Sequence, residues 1–264
     1  MTNGVEMDFK ERISVQFTNL TKTDKKISNY LIQNPEFLTE NSVQGAAKVM
    51  NTSPAALVRL AQKIGYKGLA DFKMDLENYA KDKPGKELAE GATVRDQVLS
   101  NYRDTIDVIQ GHLKEEDLQQ VARIILEASR VRILGIGSSG LRAEELVYLL
   151  LYQDVYTESI TSKTKMLYLA RNLSADDVLI FYTVSGNKDF QELFTAAKEV
   201  GAKIIILTMV DNPYVRDFAD HLFVLPSNLQ QLTNTSGEFY QLDNRLQFSI
   251  FSEILAAYVN QELK

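Results

Sequence analysis

The chain contains no cysteine and only two histidines, His112 and His221. That excludes a disulfide framework, thiolate metal sites and a cysteine nucleophile, and it leaves too few imidazoles for a histidine-rich metal centre. Long apolar runs are missing too. The opening MTNGVEMDFKER has no signal-peptide core, and no segment approaches the roughly 18 uninterrupted apolar residues of a membrane span. The expectation is a cytoplasmic protein with no membrane association, no cofactor and no metal. A third absence is local: Asn41 to Ala70 holds no Asp or Glu, although the chain carries a net charge of −6. In that window Lys48, Arg59, Lys63 and Lys67 are the only formal charges.

At 264 residues the chain can build one large or two modest cores. Its charge is uneven. Residues 1–80 hold ten Lys/Arg and nine Asp/Glu, a net of +1, while the other 184 hold 19 and 26, a net of −7. One module therefore tolerates a polyanion and the other does not seek one.

Up to about Tyr79 the pattern predicts only helices. Thr23 is placed to cap a first helix that ends at Asn34-Pro35, and Ser42 starts a second that runs to Met50. Ser53-Pro54 is a strong helix start, since the hydroxyl caps free N–H groups and proline suits the first helical position. That helix stops near Ile64 with Gly65 in the left-handed position, and Gly68–Tyr79 forms another. The segment from Lys81 through Pro84-Gly85 reads as a linker. Helices over Thr93–Gln110 and Glu115–Ala128 follow. Thereafter Val131–Gly135, Asp154–Thr157, Val178–Tyr182, Lys203–Thr208 and His221–Leu225 are short β-rich runs separated by helix-length segments. Such alternation predicts a parallel sheet covered on both faces. A polar loop from Pro226 to about Tyr240 precedes a last helix ending at Leu263.

In the Ser53–Ile64 helix, Leu57, Leu60, Ala61 and Ile64 fall at i, i+3, i+4 and i+7 and face a core. The opposite side presents Ala55, Val58, Arg59, Gln62 and Lys63. A recognition helix needs this division, with small residues for close approach and long donors for base edges and phosphates. Arg59 suits a guanine and Gln62 an adenine, whereas Lys63 and Lys67 suit phosphates. The DNA-contact set is Thr52, Ser53, Ala55, Arg59, Gln62, Lys63 and Lys67. The run from Ser42-Val-Gln-Gly-Ala-Ala through Asn51-Thr-Ser-Pro-Ala-Ala-Leu-Val-Arg-Leu-Ala-Gln-Lys-Ile-Gly-Tyr-Lys-Gly closely resembles the helix-turn-helix of the MurR/RpiR family of bacterial transcription regulators. The upstream Leu20…Ile27…Tyr30-Leu-Ile-Gln-Asn-Pro35 fits that family's opening helix.

Farther on, Gly135-Ile-Gly-Ser-Ser-Gly140 follows a predicted strand and opens a predicted helix, which is how backbone N–H groups come to face an anion. A second turn, Thr183-Val-Ser-Gly-Asn187, follows the Val178–Tyr182 strand. Turns at the carboxyl ends of parallel strands lie where ligands bind in open α/β sheets. Read literally, Gly135-x-Gly137-x-x-Gly140 is also the dinucleotide fingerprint, with Glu158 near the place of its ribose-binding acid. The paired serines suit a single phosphate better than a pyrophosphate. These turns resemble those of the sugar isomerase (SIS) domain, which RpiR-type regulators carry behind their helix-turn-helix. The resemblance implies phosphosugar binding through Gly137, Ser138, Ser139, Thr183, Ser185, Gly186 and Asn187. Lys188 stands where a last hydroxyl is expected, and Thr235, Ser236 and Glu238 are candidates to close over the sugar.

The expected architecture is an all-helical helix-turn-helix domain over residues 1–80, a linker over 81–92, and a doubly wound parallel sheet of flavodoxin-like order with its preceding helices over 93–264. The expected function is a regulator of carbohydrate metabolism whose affinity for a palindromic operator in double-stranded DNA responds to a sugar phosphate. A phosphosugar isomerase and an NAD(P)-dependent reductase are the alternatives. Isomerisation needs a base over the sugar carbons, and none of Glu144, Glu145 and His221 stands out as that base. The apolar faces of Ile106–Leu113 and Leu246–Leu263 are expected at a homodimer or homotetramer interface.

Overall fold

The computed structural model describes residues 9–16, 20–81, 93–186, 188–225, 231–233, 239–241 and 245–263. Chain contacts divide it into two units, Asn3–Arg103 with Ser227–Asn244, and Asp104–Pro226 with Arg245–Lys264.

The first unit holds helices α1 (Phe9–Gln16), α2 (Lys22–Gln33), α3 (Phe37–Glu40), α4 (Val43–Val49), α5 (Pro54–Lys63) and α6 (Leu69–Lys81). The long helix α7 (Val94–His112) crosses the division. Local chemistry accounts for the starts of α2, α4 and α5. α2 is capped by Thr21, two residues earlier than expected, because Thr21 and Asp24 form a reciprocal capping box. Ser42 and Ser53 accept from Gly45 N and Ala56 N, at 3.1 and 3.2 Å. Asn51 takes φ +50° and Gly65 φ +95°, so left-handed residues precede and follow α5. One apolar core joins Phe9, Ile27, Leu31, Leu57, Leu60 and Phe72. α1 and α3 were not legible in the sequence; both are short.

The second unit continues with α8 (Glu115–Glu127), β1 (Arg130–Gly135), α9 (Ser138–Leu151), β2 (Glu158–Ile160), α10 (Lys163–Leu169), β3 (Asp177–Thr183), a 3-10 turn at Lys188–Phe190, α11 (Gln191–Val200), β4 (Lys203–Thr208), α12 (Pro213–Arg216) and β5 (His221–Val224). α13 (Leu246–Glu262) is its last helix, while the strands β6 (Gln231–Thr233) and β7 (Phe239–Gln241), which belong to the first unit, form an antiparallel pair where the sequence predicts a polar loop. The main sheet is parallel throughout, in the order β2-β1-β3-β4-β5. The central strand β3 is buried along its whole length. Leu179 and Phe181 join the core beneath α10 and α11, including Phe194 and Ala197. The alternate positions Ile180 and Tyr182 point to the other face, where α9 and α13 pack.

Two expectations are corrected. The run Asp154–Thr157 is not a strand: Asp154 is left-handed at φ +60° and Tyr156 is exposed, so the chain meets β1 only at Glu158. The apolar face of Leu246–Leu263 is not a free surface either. Phe248, Phe251, Leu255 and Val259 are fully buried, and α13 packs on α8 and α9 within its own unit.

Beneath the sheet, at its amino end, Asp177 is fully buried and paired in register with Arg130. Its carboxylate accepts from Arg130 Nε at 2.8 Å, from Arg132 Nη1, and from Ser174 N at 2.7 Å. Burial is the strongest single influence on this carboxyl and pushes its pKa up. The Ser174 N–H and the two guanidiniums outweigh it, leaving the pKa below the ordinary value.

Candidate functional site

The two sequence-predicted sites fall in separate units. In the first, α4 and α5 meet through the left-handed Asn51, and Ala56, Leu57, Leu60, Ala61 and Ile64 are buried. This leaves Ser53, Ala55, Arg59, Gln62, Lys63 and Lys67 exposed and Thr52 half-buried, on one side of α5 and its flanks. Among the described residues Arg59 has no ion-pair partner, so its fork is available to an external acceptor.

Lys63 differs. Its Nζ lies 2.8 Å from Asp24 Oδ2 on α2, and the Asp24 side chain is only 12% exposed. Burial alone would raise the Asp24 pKa. The hydrogen bond from Lys63, two bonds from Thr21 and the Lys63 charge bring it below normal. Lys63 therefore joins α5 to the capped end of α2. A further cation unnoticed in the sequence, Arg12, lies 4.5 Å over the Tyr66 ring. It reaches Gly65 O at 3.4 Å, at the end of α5.

In the second unit β1 and β3 are neighbours, with Gly135 opposite Tyr182. The Gly135–Gly140 and Thr183–Gly186 turns therefore lie side by side at the carboxyl ends of adjacent strands. Here the winding also reverses, since β2 lies on one side of β1 and β3 on the other. Gly137 takes φ +62° and ψ −129° and supplies no side-chain cap to α9. A Cβ at Gly135 would come within 2.4 Å of Ser139 O, so only glycine lets helix and strand close up. Of the paired hydroxyls, Ser138 is half-buried and Ser139 only 5% exposed, which makes Ser138 the more accessible.

The second turn is held from behind. Thr183 Oγ1 accepts from Gly186 N at 3.2 Å. The Val184 carbonyl accepts from Met209 N at 3.1 Å, and those of Ser185 and Gly186 accept from Asn212 Nδ2 at 3.1 and 3.0 Å. With these carbonyls engaged by the chain after β4, the turn can offer hydroxyls and N–H groups to an anion. Ser185 is half-buried. Asn187, the Lys188 side chain, Thr235, Ser236 and Glu238 lie outside the described residues.

The same crevice receives a residue that sequence reasoning missed. Arg245, at the start of α13, donates from Nε to Ser138 Oγ at 3.2 Å, and its Nη1 lies 3.6 Å from Met209 Sδ. A single arginine after a polar segment carries no local signature, and its partner is distant in the chain.

Three other sequence candidates fall elsewhere. Glu158 is the first residue of β2, 3.9 Å from Arg132, whereas the dinucleotide acid belongs at that strand's far end. Glu145 accepts from Ser249 Oγ at 2.8 Å and from Arg142 at 3.2 Å. His221 opens β5, at the opposite end of the sheet from the turns. Among the described residues no three potential ligands cluster as a metal site, and no helix is long and apolar enough to cross a membrane.

Comparison with known proteins agrees with this division. The helix-turn-helix domain of the rpiR family matches residues 7–83, and the SIS domain matches residues 124–237. An HTH-type transcriptional regulator of Haemophilus influenzae is 26% identical over 224 residues, covering 81% of this chain and 78% of its own. The sugar isomerase domain of an RpiR transcription factor from Sphaerobacter thermophilus superposes with a TM-score of 0.54 at 19% identity, over 65% of this chain and 92% of that one. The Vibrio vulnificus NanR protein, complexed with ManNAc-6P, superposes with a TM-score of 0.50 at 17% identity, over 97% and 91%. With an exposed recognition-type helix in one unit, a parallel sheet with paired serine turns in the other, and both domain matches in that order, the chain belongs to the rpiR family of helix-turn-helix regulators carrying a SIS domain.

Proposed function

We propose that this protein is a DNA-binding transcriptional regulator of carbohydrate metabolism, and that a sugar phosphate held in its SIS domain sets its affinity for an operator. The carrying observation is the adjacency of β1 and β3, which brings the Ser138 and Ser185 turns together in a chain that also exposes the Arg59 face of α5. The DNA-binding domain is residues 1–80, the linker 81–92 and the effector domain 93–264. Thr52, Ser53, Ala55, Arg59, Gln62 and Lys67 face the duplex. Gly137, Ser138, Ser139, Thr183, Ser185, Gly186, Asn187 and Lys188 surround the effector. NanR, the structural neighbour complexed with ManNAc-6P, supports the ligand class. Coupling requires the sugar phosphate to bind two arrangements of the protein with different affinity.

The protein acts in the cytoplasm as a homodimer or homotetramer on a palindromic operator. With α13 packed inside its unit, the self-association surface is better sought on α9, where Leu141, Tyr148 and Leu151 are exposed with Tyr152 just beyond, and on α7, where Leu99, Tyr102 and Ile106 are. A monomer in sedimentation equilibrium at working concentration would remove this part of the reading. Isomerase activity is disfavoured because Glu145 is held by Ser249 and Arg142 and because His221 lies at the wrong end of the sheet.

The test combines two variants. Arg59→Ala should abolish the footprint on the protein's own promoter, since a bidentate base contact is worth about 1–3 kcal/mol in each half-site. Ser138→Ala with Ser185→Ala should erase stabilisation by sugar phosphates in thermal melting while leaving DNA affinity intact. A normal footprint from the first, or undiminished stabilisation of the second, overturns the corresponding assignment.

A further inference from the structure

The Thr183–Gly186 turn runs beside the chain that leaves β4. Thr183, the last residue of β3, pairs in register with Thr208, the last of β4. Beyond that pair, three consecutive carbonyls of the turn are taken by donors from Thr208–Asn212. Val184 O accepts from Met209 N at 3.1 Å and from Thr208 Oγ1 at 3.2 Å. Ser185 O and Gly186 O accept from one amide nitrogen, Asn212 Nδ2, at 3.1 and 3.0 Å. The other end of that amide fixes which way round it lies. Asn212 Oδ1 accepts from Tyr214 N at 3.0 Å as the cap of α12, so its donor end must face the turn. Val215, on the same short helix, lies so close behind Gly186 that an added Cβ there would come within 2.6 Å of it.

This arrangement gives the turn a polarity. In a trans peptide the N–H points opposite to the C=O of the same plane. Val184 O and Ser185 O are turned towards the β4 connection, so the N–H groups of Ser185 and Gly186 are turned to the side of β1 and the Ser138 turn. Gly186 N is held there by Thr183 Oγ1 at 3.2 Å, and Ser185 N borders the crevice. Peptides turned the other way would put carbonyl oxygens on that side, and their dipoles would repel an anion.

We infer that Asn212 is a positioning residue for the effector: it keeps the Ser185 and Gly186 carbonyls turned away from the crevice, so that this end of β3 receives a phosphate instead of repelling it. The inference rests on the proposed effector site. It adds a side chain from the connection after β4, which acts through the turn and not on the ligand.

The test uses the full-length protein with inorganic phosphate as the first probe and a panel of sugar phosphates as the second. Titration calorimetry reads affinity, and thermal melting of the unliganded protein is measured beside it. Asn212→Ser keeps a hydroxyl able to cap α12 but is too short to serve both carbonyls, and it should weaken phosphate and sugar-phosphate binding by about tenfold. Asn212→Asp keeps the shape and the cap but sets an acceptor-only group against two carbonyls, and it should weaken binding by about a hundredfold. Affinity for DNA without effector should stay at the wild-type level in both. A residue that merely stabilised the fold would give the reverse ranking, because Asn212→Asp is the smaller change in packing and keeps a good cap. Asn212→Ser that binds phosphorylated ligands as tightly as the wild type overturns the inference while leaving the effector site standing, since a loss confined to Asn212→Asp is charge repulsion alone. If Asn212→Ser does not fold, Asn212→Thr is read in its place by the same criterion. If the wild type binds neither phosphate nor any sugar phosphate, the effector-site reading falls and this inference falls with it.

Discussion

Lys63→Ala should lower the melting temperature of the protein and leave the salt dependence of its DNA binding unchanged. On α5 Lys63 follows the exposed Gln62 and has the charge expected of a phosphate contact, but its Nζ lies 2.8 Å from Asp24 Oδ2. The lysine side chain is 33% exposed and the aspartate 12%, so the pair is partly shielded from water. Replacing Lys63 by alanine leaves Asp24 short of one charged donor, although it still accepts from Thr21 N at 2.9 Å. A charge-assisted hydrogen bond contributes about 1.5–3 kcal/mol. Partial exposure and the retained Thr21 bond reduce the expected loss to about 1 kcal/mol. For a domain of this size that lowers the melting temperature by roughly 4–8 °C. Each phosphate contact contributes roughly 0.9 to the slope of log affinity against log salt. Lys63→Ala should therefore melt lower and keep the wild-type slope, whereas Lys67→Ala should melt normally and reduce the slope by about 0.9 per half-site. Fluorescence anisotropy with labelled promoter DNA over a salt series, beside thermal melting, reads both. A Lys63→Ala protein with unaltered melting and a shallower slope would show that the lysine leaves Asp24 for the duplex, and the structural assignment would be wrong.

Two further outcomes follow from other parts of the molecule. Asp177 is held below the ordinary carboxylate pKa against the opposing effect of burial, so its stabilisation is present above about pH 4 and fades as pH falls through the lower folded-state value. Asp177→Asn should cost about 3 kcal/mol at neutral pH, because it leaves Arg130 and Arg132 without their shared partner, and should flatten the acid side of stability measured by urea unfolding. An acid limb as steep as the wild type's would count against the assignment. Gly186 has φ +57°, and an added Cβ would lie 2.6 Å from Val215 Cγ1. Gly186→Ala should therefore cost about 2–4 kcal/mol from backbone strain and overlap together. Adding Val215→Ala should relieve the overlap alone, so strictly additive losses in thermal melting would rule out the clash.

Much of the fold was legible because its signals are local. Ser42, Ser53-Pro54 and Gly65 act on N–H and C=O groups within a few residues of themselves, and the structure places the caps and the left-handed stop there. The strands β3 and β4 carry continuous apolar runs, Val178–Tyr182 and Ile204–Leu207, as strands buried on both faces do. β2 escaped for the converse reason: three residues at a sheet edge carry too little pattern, and the more strand-like run before it contains the left-handed Asp154. The interface expected on α13 failed because an apolar helix face does not say whether its partner lies in the same chain or another one.

The order of residues by itself determined the two domain types, the face of α5 left for a partner, and the two serine turns, since each depends on hydrogen bonds and periodicity within one element. Only the tertiary structure decided which side chains those features would share. Lys63 and Asp24 are separated by 39 positions, and Arg245 and Ser138 by 107. No period or cap links residues so far apart; their partnership exists only after apolar burial has docked α5 on α2 and α13 beside α9.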